Sequence, residues 1–317
     1  MKTALVTGVA GFIGSFLAER LLKDNFKVIG IDSFTNFYSK KIKLKNIEIC
    51  KKNKNFTLIQ KEIQKIDLIP IFKKVDYLFH MAAQPGVRTS WGKGFENYSI
   101  NNILVTQKLL EQAKISKSLK KIVIASSSSV YGNQSCKMNE SKTKTNPVSP
   151  YGVSKLAAEH LVNAYVENFN LPVIMLRYFT VYGPRQRPDM AFMRFVMKSI
   201  LKKPITIYGN GTQKRNFTYI DDVIDATISS VNIDNTGEII NIGGGEVISI
   251  SKVISILKNI CNYEPKILYK PFSNGDVLRT EADINKAKRL LNFKPKTSLK
   301  NGLFLEYEYA KRNKILY

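Results

Sequence analysis

Histidine and cysteine are scarce in this chain, and the few present are badly placed for chemistry. Its 317 residues contain two histidines, His80 and His160, and three distant cysteines, Cys50, Cys136 and Cys261, with no C-x-x-C pair. That excludes a disulfide framework and a Cys/His zinc site, so no metal is expected. Long apolar runs are missing too: none approaches the roughly 20 residues of a membrane helix. The opening Met1-Lys2-Thr3-Ala4-Leu5-Val6-Thr7-Gly8 has no charged leader followed by an apolar core, so a cytoplasmic protein without membrane insertion is expected. Acidic residues are also few, 25 Asp+Glu against 49 Lys+Arg, for a net charge of +24. Such a balance attracts anions, from phosphorylated metabolites to nucleic acids. The lysines are spread along the chain, however, and the densest run, Lys40 to Lys54, carries Ile42, Leu44, Ile47 and Ile49 between them. A solvated helix face is expected there, and no nucleic-acid partner.

What the chain does have is alternation. Short apolar runs at Ala4–Thr7, Lys27–Ile31, Phe56–Gln60, Tyr77–Met81, Lys121–Ser126 and Val173–Tyr178 alternate with helical patterns such as Phe12–Lys23, Ile100–Ala113 and Tyr151–Asn168. Strands separated by helices imply parallel βαβ units, hence an α/β doubly wound sheet of the Rossmann type. Such sheets bind ligands beyond the carboxyl ends of their strands. After Gly183 the pattern shifts to Pro- and Arg-rich loops. Residues 1–178 with about 219–246 are therefore expected to form a dinucleotide-binding domain, and about 179–218 with 247–317 a smaller, interleaved α/β substrate lobe.

Gly8-Val9-Ala10-Gly11-Phe12-Ile13-Gly14 lies between the first strand and the first helix. Glycines there permit a tight turn, bring backbone N–H groups to a pyrophosphate at a helix N-terminus and let helix pack on strand. Asp32 follows the second strand, where a carboxylate accepts from an adenosine ribose and repels a 2′-phosphate. NAD is the expected cofactor. A turn or cap role for Asp32 is the competing reading, and the lysines near Lys40 could offset a phosphate.

Tyr151 and Lys155, at i and i+4, share one helix face. A free phenol has a pKa of about 10, and bringing it near 7 takes about 4 kcal/mol of differential stabilisation from nearby cations. Lys155 is the expected activating partner. Tyr307 and Lys311 repeat this spacing near the C-terminus among Glu306, Glu308 and Lys314, without a serine-rich strand before them, and are expected on a solvated face. Ser126 to Ser129 place hydroxyls at a strand end, where one can bridge a substrate oxygen and the Tyr151 phenol.

Together with His80-Met81-Ala82-Ala83, the Asn101-Asn102 region, Gly209 to Tyr219, and Gly275-Asp276 followed by Thr280 and Ala282-Asp283, these motifs resemble the extended short-chain dehydrogenase/reductases, specifically the NAD-dependent nucleotide-sugar epimerase/dehydratase family. The likeness covers essentially the whole chain. It implies that Tyr151 is the acid/base, that Lys155 holds the nicotinamide ribose and that Ser127 is the catalytic hydroxyl. Cofactor contacts would come from Gly8, Gly11, Phe12, Ile13, Gly14, Asp32, Asn36, Glu62, Ile63, Ala82, Ala83, Gln84, Asn101 and Tyr178. It also implies a UDP-sugar substrate and a homodimer. Dehydratases of this family carry an Asp-Glu pair after the catalytic hydroxyl and decarboxylases a Glu; Ser128 and Ser129 stand here, which favours simple oxidation and re-reduction. Arg88, Thr180 and Arg185-Gln186-Arg187-Pro188-Asp189 look most like UDP-glucuronate 4-epimerases. A guanidinium suits a sugar carboxylate, with Arg185 preferred over Arg88 and Arg187, and with Ser127, Ser128 and Ser129 assisting. Tyr208 would stack near the uracil, Arg215 would hold the diphosphate, and Asp276 would complete the substrate contacts. Epimerisation of a neutral UDP-sugar stays open, as does a dinucleotide-sensing or nucleic-acid-binding protein, although neither sensor nor binder needs Ser127, Tyr151 and Lys155 intact.

Overall fold

Strands of a parallel sheet are covered on both faces and therefore read as continuous apolar runs. In a computed structural model of the chain, which describes residues 1–316, seven such runs form one sheet: β1 (Thr3–Thr7), β2 (Lys27–Ile31), β3 (Phe56–Ile59), β4 (Tyr77–His80), β5 (Lys121–Ser127), β6 (Val173–Tyr178) and, much later, β11 (Glu238–Ile242). Their spatial order is β11-β6-β5-β4-β1-β2-β3, and every pairing is parallel. The order reverses between β1 and β4, the point at which such a sheet opens a crevice for ligand.

Alternation of side chains across the strands builds two cores. Leu5, Leu78, Ile122, Ile124, Val173 and Met175 join Leu109 and Leu110 of the helix Val105–Lys114 and Val162 of the helix Pro150–Phe169. Ala4, Val6, Phe79, Val123, Ile174 and Leu176 face the other way, onto Leu17 and Leu21 of the helix Phe12–Lys23 and Val223 of the helix Ile220–Ser229. Helices on both faces make the sheet doubly wound.

Register then gathers the strand ends. Thr7 pairs with Ile31 and with His80, and Ser127 pairs with Tyr178, so the residues just beyond these positions emerge along one edge. Over that edge sit three short sheets. β7 (Val181–Tyr182) pairs with β10 (Thr218–Tyr219), β8 (Ile205–Tyr208) with β13 (Ile267–Lys270), and β9 (Lys214–Asn216), antiparallel, with β12 (Val247–Ser249).

The lysine-rich run carries a solvated face, with Lys40, Lys41, Lys45, Lys51, Lys52 and Lys54 exposed, whereas the expected solvated face near the C-terminus needs correction. The lysine-rich run folds as two short helices, Lys40–Asn46 and Glu48–Lys51, broken at Ile47. Its Ile42, Lys43, Asn46, Ile47 and Cys50 are buried, while Leu44 and Ile49 face solvent. In the C-terminal helix Leu299–Arg312, Glu306 is fully buried and Tyr307 packs on the core, because this helix lies against Ala191–Ile200. Among the described residues no helix is long and apolar enough to cross a membrane.

Candidate active site

A cleft of about 950 Å³ runs along the sheet edge beneath the three small sheets. At one end the glycine loop turns into the helix Phe12–Lys23. Gly8 has φ +68°, a conformation side chains disfavour, and a Cβ on Gly14 would stand 2.2 Å from the Gly8 carbonyl oxygen. The helix therefore starts hard against β1 with Gly11 as an N-cap that offers no side chain, leaving N–H groups directed at the cleft. A dinucleotide pyrophosphate fits that cradle. Asp32 lines the cleft, and its two oxygens accept from the N–H groups of Ala10 (3.0 Å) and Phe34 (2.8 Å), so it is at once a turn residue and a ribose acceptor in waiting. Lys43 lines the cleft, with its ammonium donating to the Thr35 carbonyl (2.8 Å) and hydroxyl (3.2 Å). Glu62, Ile63, Ala82, Ala83, Gln84 and Asn101 all line the same end. Asn36 is exposed at the tip of its turn and lies outside the lining, a correction to its expected contact.

The centre is built by the long helix Pro150–Phe169. Ser149 caps it by accepting from the Gly152 N–H (3.1 Å), and Pro150 occupies its first turn. Gly152 is required there, since a Cβ would stand 2.6 Å from the Ser129 carbonyl oxygen. That close approach carries Tyr151 and Lys155 to the end of β5, where both line the cleft with Ser126, Ser127, Ser128 and Ser129. Burial pushes the Tyr151 phenol up, while the Ser127 hydroxyl and the Arg187 charge favour its ionised form. Lys155 donates to the Ala125 carbonyl (2.5 Å) and is held down to about 8, mainly by burial and against the pull of Glu159. Arg187 thus adds a positive charge acting on Tyr151 that the sequence reading did not assign to it. Ser126 belongs to the scaffold: its hydroxyl donates to Glu159 (2.6 Å), which is held by a bidentate Arg177.

At the far end the arginines separate. Arg185 does not reach the cleft. Its backbone is left-handed (φ +65°), which folds the side chain back over the helix Phe12–Lys23, where it pairs with Glu19 (2.9 Å), donates to Asn46 O (3.1 Å) and lies on Phe16. Next to it, buried Gln186 bonds Val181 O and Met193 N, so the following residue is turned inward. That residue, Arg187, lines the cleft and forms a bidentate pair with Asp189. Arg88 stacks over Tyr208 (3.9 Å) and pairs with Asp276 (2.8 Å). Arg215 lines the cleft and donates to the Val277 carbonyl, and Thr180 lines it too. Tyr178 lines the cleft as well, but its hydroxyl turns away to Thr227 (2.8 Å).

Further residues shape the site, of which Tyr98 and Arg194 had no expected role, while His80, Asn102 and Gln213 lie in motifs named above without a role of their own. Tyr98 meets Tyr151 edge-on (6.0 Å) while its hydroxyl lies within donating distance of the Pro85 (2.8 Å) and Gly86 (2.6 Å) carbonyls. Buried Asn102, in a π-helical turn over Ser99–Leu104, accepts from Gln84 N (2.7 Å) and donates to Ser154 (2.9 Å), tying the cofactor side to the catalytic helix. His80, pushed down to about 3 by burial and the Lys155 charge, is neutral and bridges Thr7 and Thr106 beneath the loop. Arg194 faces Tyr208 from the helix Ala191–Ile200, and Gln213 lines the cleft with a buried Oε1 that has no partner among the described residues. Arg194, a cation in the first turn of a helix opening on the basic loop, also left a trace in the sequence.

This arrangement can exchange a proton with a hydroxyl beside a dinucleotide and hold an acidic or diphosphate-bearing ligand beyond it. Known proteins agree with that geometry. The profile of the family described as GDP-mannose 4,6 dehydratase matches residues 5–304. An uncharacterised UDP-glucose epimerase of Bacillus subtilis is 45% identical over 96% of both chains. A UDP-glucuronate 4-epimerase of Thermodesulfobacterium geofontis is 42% identical over 98% of this chain and 96% of its own. The crystal structure of the Bacillus cereus UDP-glucuronic acid 4-epimerase with UDP-glucuronic acid and NAD superposes with a TM-score of 0.96 at 46% identity, covering 98% of this chain and 99% of the other.

Proposed function

This chain belongs to the GDP-mannose 4,6 dehydratase family of extended short-chain dehydrogenase/reductases, and on that premise we propose that it is an NAD-dependent UDP-glucuronate 4-epimerase, interconverting UDP-glucuronate and UDP-galacturonate through a 4-keto sugar. The observation that carries the choice of sugar is Arg187, a guanidinium that lines the same cleft as Tyr151 and whose charge acts on its phenol. It meets the need of a hexuronic acid for a planar, bidentate cation near the reacting carbon.

Bound NAD supplies the oxidising and re-reducing power at carbon 4. Gly8, Gly11 and Gly14, with Phe12 and Ile13 of the helix start, hold its pyrophosphate, and Asp32 takes the adenosine ribose. Tyr151 accepts the proton of the 4-hydroxyl as the alcohol becomes a ketone and returns it when the ketone is reduced on the opposite face. Ser127 bridges the sugar oxygen and the phenol. Lys155 and Arg187 together stabilise the phenolate, and preorganised charge of this kind lowers the barrier without reorganisation. Tyr208 and Arg215 take the nucleotide end. Ser128 and Ser129 offer hydroxyls and no carboxylate, so elimination of water from the ketone lacks its acid/base pair.

A neutral UDP-sugar is the second reading, favoured by one feature: Asp189 cancels the charge of Arg187. The test is incubation of purified protein with UDP-glucuronate and with UDP-glucose, resolving the products. UDP-galacturonate formed in preference supports the proposal, and exclusive turnover of UDP-glucose overturns it. The same reading includes the division into a dinucleotide domain (1–178 and about 219–246) and a sugar-nucleotide lobe, and assembly as a cytoplasmic homodimer.

A further inference from the structure

The Arg187–Asp189 pair has the form of the contact a sugar carboxylate would make. Arg187 donates from Nε to Asp189 Oδ1 (3.0 Å) and from Nη2 to Oδ2 (2.9 Å), the side-on bidentate geometry that a carboxylate ligand adopts. The two residues are held close by a tight turn through Pro188, closed by Met190 N–H to Arg187 O (3.1 Å). Their exposures differ: the Asp189 side chain is 37% accessible and that of Arg187 20%. Asp189 can swing into water at little cost, whereas Arg187 is flanked by Phe37 and the Tyr151 side of the cleft. Both residues line the cleft.

We propose that Asp189 is an internal carboxylate that occupies Arg187 until the carboxylate of an acidic sugar displaces it, and that this competition holds down the affinity for hexuronic acids. The inference rests on the reading of Arg187 given above. One carboxylate replaces another, so Arg187 is never left as an unpaired, partly buried cation. An acidic sugar binds only by winning the exchange. A neutral sugar leaves the pair closed and meets a surface without net charge.

The experiment is calorimetric titration of the NAD-loaded protein with UDP-glucuronate and with UDP-glucose, for the wild type, Asp189→Asn and Asp189→Ala. Removing the competitor is expected to tighten UDP-glucuronate about fivefold to tenfold and to leave UDP-glucose within about twofold. Steady-state kinetics should show the gain in KM, with kcat little changed. Weaker binding of UDP-glucuronate would make Asp189 a support for Arg187 and overturn the proposal, as would equal tightening of both ligands. Asp276→Asn serves as a charge control, since Asp276 is a cleft carboxylate held by a different arginine; an equal selective gain there would mean a general charge effect and would also overturn it. Affinity is read without turnover, so failure of the epimerase reading and failure of the exchange are separate results.

Discussion

At the scale of single residues, the sugar end of the cleft turns on two arginines two positions apart. Arg185 and Arg187 have the same chemistry in sequence, and only the left-handed backbone at Arg185 and the buried Gln186 between them decide which one faces ligand. Arg187→Ala is expected to raise the KM for UDP-glucuronate about tenfold or more while leaving UDP-glucose within about twofold. Arg185→Ala should instead lower stability by about 1–3 kcal/mol, because it strands partly buried Glu19, with the ratio of the two sugars unchanged. Parallel kinetics and thermal melts of the two variants decide the matter; a selective loss of the acidic sugar on Arg185→Ala would refute this assignment. Tyr151, Lys155, Ser127, the glycines and Asp32 were legible in the sequence because each sits at a fixed offset from a strand end or on one helix face. Arg187 was not preferred because left-handed backbone at a non-glycine residue leaves no compositional mark. Tyr98 acts through its contact with Tyr151, far along the chain, and no local pattern encodes that.

At the scale of elements, the same contrast holds. The strands of the main sheet follow from apolar runs with glycine or polar ends, and the catalytic helix from Ser149, Pro150 and the face shared by Tyr151 and Lys155. The C-terminal helix defeats such reading, since Glu306 among charged neighbours looks solvated yet is fully buried, its Oε2 accepting from Gly183 N (3.0 Å) and its Oε1 without a partner among the described residues. Burial raises its pKa well above the ordinary carboxylate range. The sign follows from linkage. A carboxyl raised in the folded state contributes stability that is fully present below its unfolded value and lost as pH climbs towards the folded one. Glu306→Gln keeps an acceptor for Gly183 and removes the ionisation, so its melting temperature should exceed the wild type by a few degrees at pH 8, on the order of 1–2 kcal/mol, and by much less at pH 5. Equal differences at the two pH values would mean that the carboxyl does not titrate in this range. Gly183 opens the loop that carries Arg187, so this helix also fixes the root of the sugar-binding segment.

At the scale of the whole molecule, a doubly wound sheet gathers the glycine loop, the serine run and the catalytic helix at one edge, and the three small sheets close a cleft over them. The excess of 24 positive charges suits a substrate with a diphosphate and a carboxylate. The homodimer reading gives a sedimentation mass of about twice the 35.9 kDa chain; a single-chain mass at micromolar concentration would contradict it. The central claim is the sugar. Incubated with UDP-glucuronate, the purified protein should form UDP-galacturonate and approach a mixture of the two, with no CO₂ released and no dehydrated product. No UDP-galacturonate, or net loss of CO₂, would contradict the account.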